Sequence, residues 1–384
     1  INDYAKNLTV EDMTFDCAGM KLDHSALMGL VINNANATNP QVEFEGNVSF
    51  TNLPEGAQQI LLENNTSLTV GEGWMNAIEP ETGYVVIYNN GVYTVEKAVA
   101  QNVTTGEYYL TLVEAVSAAT ANDEVKLLAP ATGAGLVINK NITVDFSGFT
   151  YTINQAVGST GTESQGFQLL TETENVKLMN GNIAVAAGTN VVWMINDYAK
   201  NLTVEDMTFD CANMVWTKSV YFLVGNNEHG TNPKAVFNNV VINNYNSDRA
   251  MVLLENNTEL TAQAGLNVVT DPGFAVVYEN GTYKVIKEQK VKNITRDLTY
   301  PTLAEAIGAA TAKDTLQFLA NITENVTVSK NLTIDGAGKE YTGTMTANNG
   351  LTVTVQNIDF VGGGFDKSSK SSSKLIVTIL SFNS

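Results

Sequence analysis

Two groups of acidic residues are the first candidates for chemistry in this chain. They share the same spacing and the same flanking residues, and their members are Glu11, Asp12 and Asp16, and Glu205, Asp206 and Asp210. Calcium is held by several carboxylate and carbonyl oxygens that converge on one point. Alternation along the first segment places Glu11 on the outer face of a strand and Asp12 at a bend. Two interpretations therefore stand: a weak calcium site in each copy, or a solvated acidic face with no cofactor.

The tryptophans form the second set of candidates. They are Trp74, Trp193 and Trp216. A large aromatic ring with a polar N–H suits a binding surface, where it can stack on a sugar ring, and it also suits a hydrophobic core. We treat the three as carbohydrate-stacking candidates, with packing in the core as the alternative.

A repeated element must position these residues. The segment INDYAKNLTVEDMTFDCA at residues 1–18 returns unchanged at residues 195–212, and LLENNT at 61–66 returns at 253–258. The chain is therefore built from a recurring unit of about 190 residues, and similarity at a fixed period is the signature of repeat architecture. Cys17 and Cys211 are matched copies within the repeat, so we expect two buried thiols rather than a disulfide or a metal pair.

Short β-strands account for most of the pattern. In residues 7–11 and in many later segments, apolar and polar residues alternate with a period of two, and Asn, Asp or Gly separates the segments. Asn90-Gly91 and Asn280-Gly281 each lie between two β-rich runs. Because Asn-Gly adopts the positive φ angles of a tight primed turn, the sequence predicts two β-hairpins.

Two short helices interrupt the strands. Thr111 and Glu114 have the spacing of a capping box, and Thr302 and Glu305 repeat it, each before an apolar stripe with i, i+3, i+4 spacing. The predicted helices cover residues of about 111–120 and 302–311. A helix of this length is marginal alone, so we expect each to lie over the open end of a β structure, whose core and unpaired amides it would cover.

Composition excludes several partners. The formal net charge is -19, which repels the phosphates of nucleic acids and anionic lipids. No run of eighteen apolar residues is present, so we expect no direct insertion into a membrane.

Two tracts carry a resemblance to a known family. They are YLTLVEAV, NDEVKLL and NKNITVDFSG within residues 109–148, and YPTLAEAI, KDTLQFL and KNLTIDG within residues 300–336. Both tracts resemble the start of a right-handed parallel β-helix of the pectate-lyase-like type. Such units are similar to those of large bacterial cell-surface proteins and of phage tail spikes. The resemblance implies a fold, and one fold hosts enzymes and inert stalks alike.

The expected architecture follows from the repeat and the resemblance together. The fold class is all-β, a right-handed parallel β-helix in tandem units, each with a short N-terminal capping helix and a closing β-hairpin. Residues 1–97 are expected to form the C-terminal part of one unit, residues 98–288 a complete unit, and residues 289–384 the incomplete start of a further unit.

The resemblance also implies what a catalytic set would look like. Pectate-lyase-like enzymes use acidic clusters with calcium and a basic residue, and polygalacturonase-like relatives use several aspartates, a His-Gly pair and an Arg-x-Lys motif. His229-Gly230 is present, but Arg249 is followed by Ala, Met and Val, and no close Asp-Asp pair precedes the histidine. We therefore expect no catalytic residue and, on balance, no enzyme.

The predicted function is a non-enzymatic extracellular scaffold, a stalk or adhesive surface on a bacterial cell or phage particle. Its expected partners are a glycan or a host surface protein, or further copies of the chain that associate end to end. The alternative is a polysaccharide lyase or glycoside hydrolase, with carboxylates on the outer face of residues 124–285.

Overall fold

A computed structural model of the chain describes residues 1–20, 27–32, 41–53, 58–71, 73–216, 223–225, 233–246, 251–255, 257–263, 265–367 and 375–378. Within these ranges the chain consists of short β-strands with two α-helices and one 3₁₀ helix. The predicted all-β class is confirmed.

Residues 1–97 contain strands and the 3₁₀ helix. These are β1 (Asn2–Asp3), β2 (Asn7–Glu11), β3 (Thr14–Asp16), β4 (Leu27–Ile32), β5 (Gln41–Glu45), β6 (Ser49–Thr51), β7 (Gln58–Leu62), β8 (Ser67–Thr69), the 3₁₀ helix Met75–Ala77, β9 (Ile78–Pro80), β10 (Tyr84–Asn89) and β11 (Val92–Lys97). Strands β2, β5 and β8 pair in parallel, and so do β1, β4, β7 and β9.

Residues 98–288 hold the first α-helix and the longest series of strands. These are β12 (Ala100–Asn102), β13 (Tyr108–Tyr109), α1 (Leu112–Ala118), β14 (Glu124–Leu127), β15 (Ala131–Ala134), β16 (Leu136–Ile138), β17 (Ile142–Asp145), β18 (Thr150–Gln155), β19 (Gln165–Leu169), β20 (Asn175–Val185), β21 (Trp193–Asp197), β22 (Asn201–Asp210), β23 (Leu223–Gly225), β24 (Lys234–Asn238), β25 (Val241–Asn243), β26 (Val252–Leu254), β27 (Glu259–Thr261), β28 (Val268–Thr270), β29 (Phe274–Glu279) and β30 (Thr282–Lys287).

The remaining elements repeat the opening of that series. They are β31 (Val291–Asn293), β32 (Leu298–Tyr300), α2 (Leu303–Ala309), β33 (Thr315–Phe318), β34 (Ile322–Thr323), β35 (Val326–Val328), β36 (Thr333–Ala347), β37 (Val353–Lys367) and β38 (Leu375–Thr378). Strand β33 pairs in parallel with β36, β36 with β37, and β37 with β38.

By its internal contacts the chain divides into two compact units. One comprises Ile1–Thr270 with Val276–Val285, and the other comprises Asp271–Ala275 with Ile286–Ser384. Buried hydrophobic side chains form three clusters, which run from Val10 to Val95, from Ala100 to Tyr283 and from Val291 to Val355. The first two clusters belong to the first unit. The predicted division at residues 97 and 288 therefore stays a prediction.

Parallel strands in residues 98–288 form three ladders. Ladder A contains β14, β17, the first half of β20, the first half of β22, β24 and β27. Ladder B contains β15, β18, the second halves of β20 and β22, and β25. Ladder C contains β16, β19, β21, β23, β26 and β28. Between β14 and β28 the described strands visit A, then B, then C in turn, except that no described strand of ladder B lies between β27 and β28.

Alternation along the strands sets the core. In ladder A the inward side chains make apolar columns, such as Val125, Val144, Leu178 and Val204, each essentially without solvent exposure. The residues that alternate with them along each strand point outward, and most of them are polar, with Met179 as an apolar exception. Period-two alternation with one buried face is what half-buried strands require, so the sequence pattern and the ladders agree.

Both predicted hairpins are present. Strands β10 and β11 pair antiparallel, with Asn90 at φ 50° and Gly91 at φ 86°. Asn280 at φ 50° and Gly281 at φ 80° join β29 to β30 in the same way. The second strand of each hairpin pairs antiparallel with a parallel strand, β11 with β8 and β30 with β27. Each hairpin therefore ends a parallel series.

Both helices lie where the sequence places them but are shorter than predicted. The Thr111 side chain accepts from the Glu114 amide, and the Glu114 carboxylate accepts from the Thr111 amide, which completes a capping box. Thr302 caps α2 in the same way, but Glu324 supplies the carboxylate that accepts from the amides of Leu303 and Ala304. Each helix has seven residues because the next residue is already extended.

Helix α1 packs against β12 to β16, which include the first strand of each ladder, and α2 packs against β31, β32 and β35. Lys140 Nζ donates to the carbonyls of Ser117 and Ala119 at 2.9 and 2.7 Å. Lys330 does the same for α2, with the carbonyls of Ile307, Gly308 and Ala310 at 3.1, 2.7 and 2.6 Å. A cation on the unpaired carbonyls of a helix end stabilises that end.

A buried polar lock holds the start of each helix-containing segment. Asn102 donates to Asp123 at 2.8 Å, and Asp123 accepts from the amide and hydroxyl of Thr120. Asn293, Asp314 and Thr311 repeat these contacts. The Thr311 amide and the Asn293 side chain lower the pKa of Asp314 to about 2. This lock is absent from the sequence-based expectations, although Asn and Asp are 21 residues apart in both copies.

Replacing Lys330 with Met tests the helix-end contacts. The loss of three charge-assisted hydrogen bonds at a partly buried site is expected to lower the free energy of unfolding by about 1–2 kcal/mol. Urea unfolding of the full chain, followed by circular dichroism, measures the change. Lys339→Met is the matched control, because Lys339 is exposed. Equal effects of the two substitutions would show that the contacts to the helix carbonyls contribute no stability.

Candidate functional site

The outward face of ladder A carries a shallow polar groove of about 250 Å³. Its lining comes from four successive turns of the chain, where a turn means one passage through ladders A, B and C. The residues are Asn122, Asn141, Ile142, Thr143, Asn175, Val176, Lys177, Asn201 and Thr203. The strand register places Asn141, Asn175 and Asn201 in one column, because Ile142 pairs with Val176 and Asn175 pairs with Asn201. The parallel register thus builds a continuous surface of amides and hydroxyls.

The asparagine column is partly used by the backbone. Asn141 Oδ1 accepts from the amides of Glu174 and Asn175, at 2.8 and 3.0 Å. Asn201 Nδ2 donates to the Glu174 carbonyl and to Asn175 Oδ1, both at 3.1 Å. Within the described part of the chain, the Nδ2 groups of Asn141 and Asn175 have no protein acceptor. The column therefore joins successive turns and leaves amide donors for a ligand rich in oxygen.

Lys177 of the groove belongs to a cluster that joins a cation, a carboxylate and an amide from the three successive strands β20, β22 and β24. Lys177 Nζ lies 2.6 Å from Glu205 Oε2, and Asn238 Nδ2 donates to Glu205 Oε1 at 3.1 Å. About a third of the Lys177 and Glu205 side chains is exposed, so solvent screens the pair and its contribution to stability is small. Both carboxylate oxygens of Glu205 therefore already have a partner within the chain, Lys177 for one and Asn238 for the other.

One residue of each predicted acidic group lies at a bend: Asp12 between β2 and β3, and Asp206 within β22 where ladder A gives way to ladder B. Asp12 and Asp206 have positive φ angles of 45° and 52°. Asp12 accepts from the Asn47 amide, and Asp206 accepts from the Asn239 side chain. In the described ranges, no group of three or more His, Cys, Asp or Glu side chains is arranged to hold a metal ion.

The third acid of each group forms the same contact in both copies. Asp16 accepts from Asn52 Nδ2, and Asp210 accepts from Asn244 Nδ2, each at 2.8 Å. The hydrogen bond from Asn52, with that from the Ala18 amide, lowers the pKa of Asp16. Each carboxylate thus joins its own bend to the bend of the following turn, a structural task that the sequence spacing did not reveal.

The three tryptophans occupy different surroundings. Trp74 is partly buried and packs edge-on against Phe44 and Phe50, at centroid distances of 5.5 and 6.2 Å. Trp193 is partly buried against the core of residues 100–283. Trp216 meets Tyr245 edge-on at 4.9 Å, and its buried Nε1 has no hydrogen-bond partner in the described structure. The structure does not bring the three rings together, so they do not form one stacking platform.

Asp197 is an ionisable group inside the core. It is 1% exposed, and one of its oxygens accepts from the Ala199 amide at 2.9 Å. It borders a cavity of about 10 Å³, room for at most one water molecule. Burial raises the pKa of Asp197 to about 8. Because the carboxyl faces the interior, it has no direct access to a ligand on the outer face.

Both cysteines are free and buried, as the repeat predicted, and burial raises the pKa of Cys211 to about 12. His229 and Arg249 lie outside the described residues. Among the helices that the structure describes, none is long and apolar enough to cross a membrane. Searches of protein-family models, of curated proteins and of solved structures each found no match to this chain.

Asp197→Asn tests the buried carboxyl. Since the folded-state pKa lies above the ordinary value, the native state keeps a proton that the unfolded chain releases from about pH 4 upward. The stability that this proton confers is complete below pH 4 and is lost as the pH rises through about 8. We expect the unfolding free energy to fall by several kcal/mol between pH 4 and pH 9, and Asp197→Asn to remove most of that slope.

Urea unfolding at several pH values measures this slope. Glu124→Gln, which changes an exposed carboxylate of ladder A, is the control and should keep the wild-type slope. A slope that persists in Asp197→Asn would assign the pH dependence to another group.

Proposed function

We propose that the chain is a non-enzymatic extracellular scaffold, built as a right-handed parallel β-helix in tandem units on a bacterial cell or phage particle. The support for the coil is the order of the three parallel ladders, which the chain visits repeatedly in the same sequence. Each strand pairs with the strand one turn earlier, and a full turn contains three such pairings. This arrangement is typical of a solenoid.

The scaffold proposal rests on a comparison of the repeated strands, namely which side chains the two copies share and which differ. Strands β14 and β33 keep their inward apolar side chains, Val125 and Leu127 in the first and Leu316 and Phe318 in the second. Outward, Glu124 and Lys126 become Thr315 and Gln317. In these two strands the duplication has preserved the interior and altered the outer charges, whereas residues 1–18 and 195–212 are identical on both faces.

Contacts that hold the fold are repeated with the interior. Besides the lock and the lysine at the helix end, Tyr151 Oη donates to the Ala134 carbonyl, and Tyr341 Oη donates to the equivalent Glu324 carbonyl. A duplicated enzyme would be expected to repeat a set of outward reactive groups. The features that recur here serve the architecture, which favours a scaffold.

The rival function is a polysaccharide lyase or hydrolase on the outer face of ladder A. Asp145 and Glu205 lie in one outward column, separated by Met179. Asp145 accepts from the Ser147 amide, and Glu205 is paired with Lys177 and Asn238. A general acid needs a raised pKa, and Asp197, whose pKa burial raises to about 8, is inside the core. The contacts therefore favour the scaffold over the enzyme.

The proposed partners are a glycan or a host surface protein, held on the polar groove of ladder A, or further copies of the chain end to end. Amide donors in the groove suit the hydroxyl oxygens of a sugar. Calcium is not required by this proposal, since the bend carboxylates have protein donors.

Incubation of the full chain with a panel of acidic and neutral polysaccharides, with and without calcium, tests the proposal. We expect no new reducing ends and no unsaturated products, because Asp145 and Glu205, the carboxylates of the outer column, already have partners within the chain. Release of oligosaccharides would overturn the scaffold proposal. In that case the Glu205→Gln variant would show whether the outer column of ladder A is responsible, with Glu124→Gln as the matched control.

A further inference from the structure

A cavity of about 350 Å³ lies near the last turn of ladder A, at the bend that follows β24. Its lining residues are Phe237, Asn239, Val240, Val241, Ala262, Gln263, Gly265 and Leu266. Phe237 and Ala262 are buried, Val241 is 46% exposed, and Asn239 and Gln263 lie at the rim. Its walls are formed by Phe237, Val240, Ala262 and Leu266, and its edge is polar, a combination that can hold a small ring with one polar atom.

The first copy of the repeat shows what fills this position. There Trp74 packs edge-on against Phe44 and Phe50. The strand registers identify the equivalent residues, because Glu11 pairs with Glu45 as Glu205 pairs with Asn238. Phe44, which precedes Glu45, therefore corresponds to Phe237, the residue before Asn238.

The other two positions follow from the same registers. Asp16 pairs with Thr51 and Asp210 with Asn243, so the preceding residues Phe50 and Ile242 are equivalent.

For the tryptophan, Val42 pairs with Leu68 as Ala235 pairs with Leu260. Six residues after these leucines stand Trp74 and Leu266, each preceded by a glycine with a left-handed φ, 110° for Gly73 and 107° for Gly265. Trp74 and Leu266 are therefore the same position of the two copies.

Three residues of the second copy are smaller than their counterparts, and they occupy one region. Leu266 replaces Trp74, Ile242 replaces Phe50, and Ala262 replaces Val70. The cavity lies between Phe237 and two of these smaller residues, Ala262 and Leu266. The second copy thus has an open space beside Phe237 and Leu266, the residues that correspond to Phe44 and Trp74.

We propose that this pocket binds a tryptophan side chain of a partner polypeptide. Phe237 supplies the aromatic wall that Phe44 supplies to Trp74. At the rim, Asn239 Nδ2 donates to Asp206 at 2.7 Å, which leaves Asn239 Oδ1 as an acceptor for the indole N–H. The site does not depend on the scaffold function, because it derives from the internal comparison of the two copies.

Titration of N-acetyl-tryptophanamide into the full, isotopically labelled chain tests the proposal. The amide resonances of Ala262 and Gly265 are expected to shift, with a dissociation constant on the order of 1 mM, as suits a single ring with few contacts. Leu266→Trp, which restores the side chain of the first copy, should weaken binding at least tenfold. Leu266→Met is the matched control and should bind as the wild type does.

A second experiment tests whether the same substitutions create a binding site in the first copy. The triple variant Trp74→Leu, Phe50→Ile and Val70→Ala should open an equivalent site, so the amide of Gly73 should also shift on titration. Circular dichroism reports whether this variant folds, and the Leu266 variants decide the question if it does not.

Free indole distinguishes the possible sources of the ring. Shifts at Ala262 with free indole but not with N-acetyl-tryptophanamide would overturn a polypeptide partner in favour of a small aromatic molecule. No shift with either probe, or equal binding by Leu266→Trp, would overturn the pocket itself.

Discussion

The parallel register between successive turns of the chain is the constraint on which the rest of this structure depends. Each strand satisfies its backbone amides and carbonyls only through the turn before it and the turn after it, so a misplaced strand would leave a row of unpaired polar groups. A shift of the strand register by one residue would also move the apolar side chains of that strand from the interior to the surface. Bends, helices and locks serve to keep this register.

The ends of each parallel series need separate solutions. At the beginning, α1 and α2 cover the first strands. Thr111 and Thr302 accept hydrogen bonds from amides in the first turn of each helix, and Lys140 and Lys330 donate to the carbonyls at its end. The antiparallel strands β12 and β31 pair with the first ladder strands. At the other end, the hairpins add antiparallel strands that cannot continue the parallel series. Both solutions recur because the physical problem recurs.

The acidic character of the chain is explained in part by its bends. Asp12, Asp16, Asp206 and Asp210 accept hydrogen bonds from the backbone or from asparagines of the following turn. Short polar side chains of this kind stabilise turns and tolerate left-handed backbone. A pattern that resembles a cation site in the sequence is therefore also the pattern of a stacked bend, and the two differ only in whether the oxygens converge.

The sequence alone determined the repeat, the all-β class, the hairpins at Asn90-Gly91 and Asn280-Gly281, and the two capped helices, because each depends on residues that are neighbours along the chain. Contacts between residues that are distant in sequence were decided only by the tertiary structure. The Asn102–Asp123 lock, the asparagine column and the pocket at Leu266 depend on which strands become neighbours, and no local pattern in the sequence records that.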